Sequence, residues 1–332
     1  MHAQRKIRIT IILMSLFAVL LGACGQTSSP EAQPPQTEAP PAEPVTLKIA
    51  VLPIMDNLPM YVADQEGLFE AHNVRVEFIP VSSAAERDQV IASGQADGMI
   101  NEVVSAHLYN REQIQIQIVR FSRTATSTAP QYYILASGDS GITTPDGLKG
   151  VEIGISQGTV IEYITDRLLQ AEGLASSDIK TIAVPSIADR MALLSAGELK
   201  AATLPDPLSF LAVQQGAVVV LDDSKHPEYG YSTLSFRKAF IDENPEALRA
   251  FLAAVEEATD LINSDPTQWD SLLVERQLVP QPLMGTYKVP PYPEASVPSQ
   301  EQWDDVQAWM KDKGLLDTDV SYTDSVNASF LP

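Results

Sequence analysis

Two stretches of this chain, 103 residues apart, are built on one pattern: ERDQVIASGQADGM over 86–99 and DRMALLSAGELKAA over 189–202. Each sets an acid-Arg pair ahead of paired aliphatics, then a small-Gly-polar step, then a strand. Upstream at a similar offset, KIAVL over 48–52 corresponds to EIGIS over 152–156, and each is followed by a helical pattern ending near Gly67 or Gly173. Both copies therefore read strand, helix, strand, helix, strand. Period-2 and period-3.6 patterning predicts strands at 47–52, 75–80, 97–100 and 115–120 in the first copy, with helices at 57–71, 83–93 and 102–110. The second copy repeats them as strands at 151–155, 179–184, 200–203 and 217–221 and helices at 159–172, 187–196 and 206–215. Such alternation predicts an α/β protein with a parallel sheet covered on both faces in each copy.

After Asp223 the pattern changes. A strand-like stretch over 231–236 leads into Asn244-Pro245, read as a cap and first-turn pair. Leu248, Phe251, Leu252, Val255, Ala258, Leu261 and Ile262 then share one helical face. That helix is expected to pack back on the first copy. Trp303, Val306, Trp309 and Met310 form a second stripe, closed by Lys313-Gly314, and are expected in a core.

The N-terminus sets the compartment. Arg5, Lys6 and Arg8 precede an apolar run from Ile9 to Leu21, and Leu21-Gly22-Ala23-Cys24 reads as a lipobox. The run falls short of the roughly 20 residues a lasting membrane span needs. Residues 1–23 are expected to be a signal peptide and Cys24 a lipidated anchor at the extracytoplasmic face of the cell membrane. Residues 24–44, rich in proline with no large apolar side chain, are expected to be an extended tether. Cys24 is the only cysteine, so no internal disulfide or cysteine nucleophile is available. The whole chain carries a formal charge of −21; losing residues 1–23 removes three cations and no anions, giving −24. Nucleic acid is thereby an unsuitable partner.

From about residue 46 to 265 the chain resembles a known superfamily. Lys48 to Leu52 followed by Pro59, Ala63 and Gly67-Leu68-Phe69-Glu70 is similar to the opening of the nitrate, sulfonate and thiamine-precursor binding proteins, also called NMT1/THI5-like. Asp146 to Thr159 resembles that family's "dLkGk.Igis.gt" segment, Gly197 to Leu204 its "G.vdAa.l" segment, and Asn244 to Pro266 its late "nPe" helix. The resemblance implies the type II periplasmic-binding-protein fold: two doubly wound lobes with a cleft between them, a permease and an ATPase as partners, and no enzymatic role. The enzymatic branch that makes the thiamine pyrimidine uses a cysteine-rich run, which this chain lacks. Lobe I is expected over 45–134 and 224–332, lobe II over 135–223, with hinges at 132–137 and 223–232, in a monomer.

Ligands of doubly wound sheets lie beyond the carboxyl ends of the strands. This selects Asp56, Asn57 and Tyr61 after the first strand, Asn101 and Glu102 after the third, and Tyr132 with Tyr133 at the crossing. In the second copy it selects Gln157 and Thr159 at a helix start and Asp206 beyond the third strand. Glu102 and Asp206 are each either a helix-dipole partner or an acceptor for ligand donors. Acids together with tyrosine faces rank a vitamin-like nitrogen heterocycle first, riboflavin or a thiamine pyrimidine precursor, ahead of amino acids, sulfonates and nitrate. Other classes left open are a ligand-sensing lipoprotein and a pyrimidine-synthesis enzyme. His72, His107 and His226 are too scattered for a metal site, and neither metal nor cofactor is expected.

Overall fold

The computed structural model describes residues 43–332; the expected signal peptide, Cys24 and nearly all of the expected tether lie outside the described residues. Ten strands form two five-stranded sheets. The first holds β1 (Val45–Val51), β2 (Val74–Pro80), β3 (Gly98–Asn101) and β4 (Ile116–Thr124), in the order β2-β1-β3-β10-β4, with β10 (Tyr231–Arg237) inserted from far along the chain. The second holds β5 (Tyr132–Ala136), β6 (Glu152–Ile155), β7 (Lys180–Ala183), β8 (Ala201–Pro205) and β9 (Val218–Asp222), in the order β7-β6-β8-β5-β9. This is the α/β, two-lobed architecture of type II periplasmic binding proteins.

The duplication is visible in the helices. In the first half α1 (Leu58–Gln65), the short α2 (Leu68–Ala71), α3 (Ala84–Ala92) and α4 (Val103–Asn110) alternate with β1 to β4. In the second, α5 (Val160–Ala171), α6 (Ile187–Ser195) and α7 (Leu208–Gln214) alternate with β6 to β9. Serines cap α3 and α6 alike: Ser83 accepts from the Glu86 N–H at 3.2 Å, and Ser186 from the Asp189 N–H at 3.2 Å.

Neither sheet is purely parallel. β1 pairs in parallel with β2 and β3, and β6 with β7 and β8, but β10 and β5 run antiparallel to both their neighbours. The cause is the path of the chain. It crosses from the first sheet to the second after β4 and returns after β9, and each time the first strand after the crossing enters the new sheet reversed. Residues 132–136, expected within a hinge, are therefore strand β5. All five of its residues are buried, because it lies inside the second sheet between β8 and β9. The crossing segments are 125–131 and 223–230. Asp223 ties them: its carboxylate accepts from the N–H groups of Gln131 (2.8 Å) and Tyr132 (3.2 Å).

After β10 come α8 (Lys238–Glu243), α9 (Pro245–Ser264), α10 (Asp270–Glu275) and α11 (Gln300–Asp312). Asn244 does not cap α9 with its side chain; Pro245 starts the helix at its first turn. Leu248, Phe251, Leu252, Val255, Ala258 and Ile262 are buried, while Leu261 turns outward. Phe251 stacks on Phe69 of α2 at 5.4 Å and meets Phe236 of β10 edge-on at 5.4 Å. Each such side chain withdrawn from water contributes about 1.5–3 kcal/mol, which fixes α9 against the first sheet's layer.

On α11, Trp303 and Trp309 are buried as expected of a core stripe. Trp303 stacks on His107 of α4 at 3.8 Å, and its indole N–H donates to the Val320 carbonyl at 3.1 Å. The Trp309 indole N–H donates to Asp166 of α5 at 2.8 Å, and Asp305 receives the Tyr163 hydroxyl (2.7 Å) and the Arg167 guanidinium (2.8 Å). Helix α11 thus grips α5 of the second lobe. Among the described residues no helix is long and apolar enough to cross a membrane.

Candidate functional site

The strand ends of the two sheets face each other across a pocket. From the first lobe it is lined by Leu52, Asp56, Arg87, Ile100, Asn101 and Glu102. Tyr132, Thr159, Ile161, Pro185, Ile187 and Arg190 close it from the second lobe, with Gln131 from the first crossing and Ser232 from the start of β10. The surface it exposes is mainly apolar, and the charged side chains in its walls are buried.

Asp56 lies in a 3-10 turn, Met55–Asn57, that leads from β1 directly into α1. Its Oδ1 accepts from Gln131 Nε2 at 3.1 Å and from the Ser232 hydroxyl. Burial raises its pKa above the ordinary carboxylate value, against the lowering effects of Arg123 and Ser232. Asn101, at the end of β3, accepts through Oδ1 from Thr233 (3.0 Å) and Ser235 (2.7 Å) of β10, which fixes its amide. Its Nδ2 is then left buried with no partner among the described residues. Glu102 caps α4 by accepting from the Ser105 N–H at 2.9 Å, and its other oxygen lies 3.6 Å from Arg87 Nη2. Burial raises the Glu102 pKa, partly offset by Arg87.

Arg87 and Arg190 are the residues that sequence reasoning missed. They stand at the same step of the duplicated unit, one turn into α3 and α6, and both are fully or almost fully buried. The signal was present in the acid-Arg pair common to both copies, which we read only as a mark of the repeat. Their surroundings differ. Arg87 pairs with Asp88 (2.9 Å) and Glu102 and donates to the Ile100 carbonyl (3.3 Å) and the Ser105 hydroxyl (3.2 Å). Burial opposes its charge, and the two acids more than restore it. Arg190 donates only to carbonyls, those of Thr203 (2.8 Å), Val184 (2.6 Å) and Pro185 (3.4 Å), and forms no salt bridge among the described residues. Its Nη2 is buried without a partner, and desolvation pulls its pKa down to about 10.

Of the nine expected ligand residues, Asp56, Asn101, Glu102, Tyr132 and Thr159 line this pocket. Thr159 is the cap of α5, accepting from the Ile161 N–H (3.2 Å) and donating to the Ser156 carbonyl (2.8 Å). The other four are engaged elsewhere. Asn57 points back into its own turn, donating to the carbonyls of Leu52 and Ile54. Tyr61 lies on the buried side of α1, edge-on to Phe78 at 4.8 Å with the Arg276 guanidinium over its ring. Gln157 is exposed, and the neighbouring Gly158 N–H is taken by Glu162 at 2.8 Å rather than left for a ligand. Asp206 is turned from the pocket to Arg123 of β4 at 2.7 Å and to the Tyr287 hydroxyl. Tyr133, adjacent to Tyr132 on β5, falls on the opposite face of that strand and meets Phe210 instead.

A family model described as NMT1/THI5 like matches residues 55–269. The chain belongs to the NMT1/THI5-like family. Among curated proteins it is 29% identical to a putative aliphatic sulfonates-binding protein of Escherichia coli (strain K12) over 155 residues, 46% of this chain. The match spans about half, 48%, of that relative's length. A putative ABC transporter periplasmic binding protein of Brachyspira hyodysenteriae is 21% identical over 274 residues, 78% of this chain and 74% of that one. Among solved structures, the alkanesulfonate-binding protein SsuA from Xanthomonas axonopodis pv. citri bound to MOPS superposes with a TM-score of 0.72 at 18% identity. It covers 86% of this chain and 99% of its own. The desulfurization enzyme DSZB superposes at 0.66 and 14% identity, over 86% and 97% of the two chains. At these identities the structural likeness establishes the fold, which a family member can use for binding or for catalysis.

Proposed function

We propose that this chain is the extracytoplasmic solute-binding component of an ABC importer, and that its cleft takes the solute by an anionic group. The observation that carries the proposal is Arg190: a buried guanidinium in the pocket wall, held by neutral carbonyls, with one nitrogen unsatisfied. A buried charge without a counter-charge is costly, and an anion entering the cleft would supply both the charge and the missing acceptor. The free Nδ2 of Asn101, across the pocket on the first lobe, offers the same anion a second donor. Sulfonate or carboxylate suits this pair, and the resemblance to sulfonate-binding proteins supports the same class. The ligand would bridge the lobes and favour their closed arrangement, the form a permease would distinguish from the open one. Cys24 would anchor the protein to the membrane as a monomeric lipoprotein.

A second reading, the nitrogen heterocycle, is favoured by Tyr132 and Asp56, which bring an aromatic ring and a carboxylate to the wall. It loses the stacking faces of Tyr61 and Tyr133 and the carboxylate of Asp206, all of which are engaged outside the pocket. Titration calorimetry separates the two. Ethanesulfonate or propionate should bind, and Arg190→Gln should weaken that binding at least tenfold. Binding of riboflavin or an aminopyrimidine, with no heat from either anion, would overturn the anionic assignment.

A further inference from the structure

Four buried acidic or basic side chains line the pocket: Asp56, Arg87, Glu102 and Arg190. Two of them, Arg87 and Glu102, face each other at 3.6 Å and cancel. What remains is one cation, Arg190 on α6 of the second lobe, and one anion, Asp56 after β1 of the first. Neither forms a salt bridge among the described residues. Asp56 meets only the amide of Gln131 and the hydroxyl of Ser232 through its side chain. Arg123, whose charge Asp56 feels, is itself committed to Asp206 at 2.7 Å.

We infer that the cleft is built for a small dipolar molecule, with its anionic group on Arg190 and a cationic nitrogen on Asp56. This rests on the anion-binding role of Arg190 proposed above and deepens it to a ligand class. A simple anion would satisfy Arg190 and leave Asp56 as a buried like charge; a simple cation would do the reverse. Only a ligand carrying both signs pairs each wall without leaving an isolated charge out of water. The two walls belong to different lobes, so such a ligand also ties the lobes together in a fixed orientation, which a symmetric anion cannot do. The same pairing gives Glu102 a role beside Arg87. Without it Arg87 would keep only Asp88 as a counter-charge, and the pocket lining would hold two guanidinium groups against the single carboxylate of Asp56.

Matched ligand pairs test this on the full-length wild-type protein, so no variant need fold. Calorimetry should find 2-aminoethanesulfonate at least tenfold tighter than ethanesulfonate, or, where the spacing differs, the same gain for 3-aminopropanesulfonate over propanesulfonate or β-alanine over propionate. Asp56→Asn should abolish that gain while binding the amine-free anion at least as tightly as wild type does, since a like charge is removed from the wall. If the amine strengthens binding in none of the three pairs while the amine-free anions bind, the dipolar inference fails and the anion-binding function stands. If no member of any pair binds, both fail. Equal gains in wild type and Asp56→Asn would also overturn the inference, because the cation would then be recognised elsewhere.

Discussion

Arg123 on β4 and Asp206 at the end of β8 meet at 2.7 Å, both almost wholly buried, and so join the first sheet to the second. The Tyr287 hydroxyl donates to the same carboxylate, which brings the segment before α11 into the junction. Desolvation works against the charge of Arg123, and Asp206 outweighs it, holding the guanidinium pKa above its ordinary value. Removing one partner of a buried pair leaves the other charge uncompensated, at a cost of about 3–5 kcal/mol. We expect Asp206→Asn to lower the unfolding free energy by an amount in that range in urea titrations, with ligand affinity changing less than in Arg190→Gln. A loss below about 1 kcal/mol would mean that Arg123 finds another partner.

The 3.6 Å approach of Glu102 to Arg87 sets the charge of the pocket as well as capping α4. Glu102→Gln keeps an oxygen for the Ser105 N–H and removes the anion, so Arg87 is left with Asp88 alone as a counter-charge and the cleft becomes more positive. Ethanesulfonate is expected to bind several-fold more tightly to this variant than to wild type in calorimetry. The gain should shrink as salt rises, since it is electrostatic. An unchanged affinity would show that Arg87 does not act on the ligand.

Two buried groups should give stability opposite slopes with pH. His107 stacks on Trp303 and donates from Nδ1 to the Val103 carbonyl (2.9 Å), and burial lowers its pKa from 6.5 to about 4. Its folded value lies below its unfolded one, so its stabilisation is full above 6.5 and is lost as pH falls toward 4. Asp223, at the crossing, is raised from 3.8 to about 7 by burial, against the lowering effect of the Gln131 and Tyr132 N–H groups. Its contribution is full below 3.8 and is lost as pH rises through 7. Melting curves between pH 4 and 7 should show the wild-type advantage over His107→Leu growing with pH, and that over Asp223→Asn shrinking. Parallel curves in either comparison would refute the assignment for that residue.

The fold was legible because the duplication repeats a local pattern that periodicity can read, and all fourteen strands and helices expected in the two copies lie within a few residues of their places, the helix expected over 57–71 being divided into α1 and α2. The exchange of strands between the sheets was not, although β10 itself was expected over 231–236. Nothing local in YYILA over 132–136 says that it will insert reversed between β8 and β9; that follows from where the chain crosses, a long-range property. The site divided in the same way. Position after a strand end found Asp56, Asn101 and Glu102, but could not tell which neighbour turns inward, so Asn57 and Asp206 were taken with them. Arg87 and Arg190 were passed over because a charged side chain one turn into a helix usually lies in solvent. Here each arginine reaches a strand carbonyl, that of Ile100 in β3 or Thr203 in β8, which no sequence pattern announces.

The last expectation links packing to the site through a glycine. Gly154 of β6 lies where a Cβ would come within 2.6 Å of Leu199 Cδ1 and 3.4 Å of Arg190 Cγ. An alanine there must push Leu199 into its core cluster and press on the stem of the arginine whose free nitrogen we assign to the ligand. Overpacking of this kind costs about 1–3 kcal/mol. Gly98 of β3 is a control: its Cβ would meet the Phe236 ring at 2.6 Å, with no arginine among its close neighbours. Both Gly154→Ala and Gly98→Ala are expected to lower the melting temperature, but only Gly154→Ala should also weaken ethanesulfonate binding, measured well below either melting point. Equal losses of affinity in the two variants would mean that the anion reports on global stability, and that the seat of Arg190 on β6 and β8 is not what positions its free nitrogen.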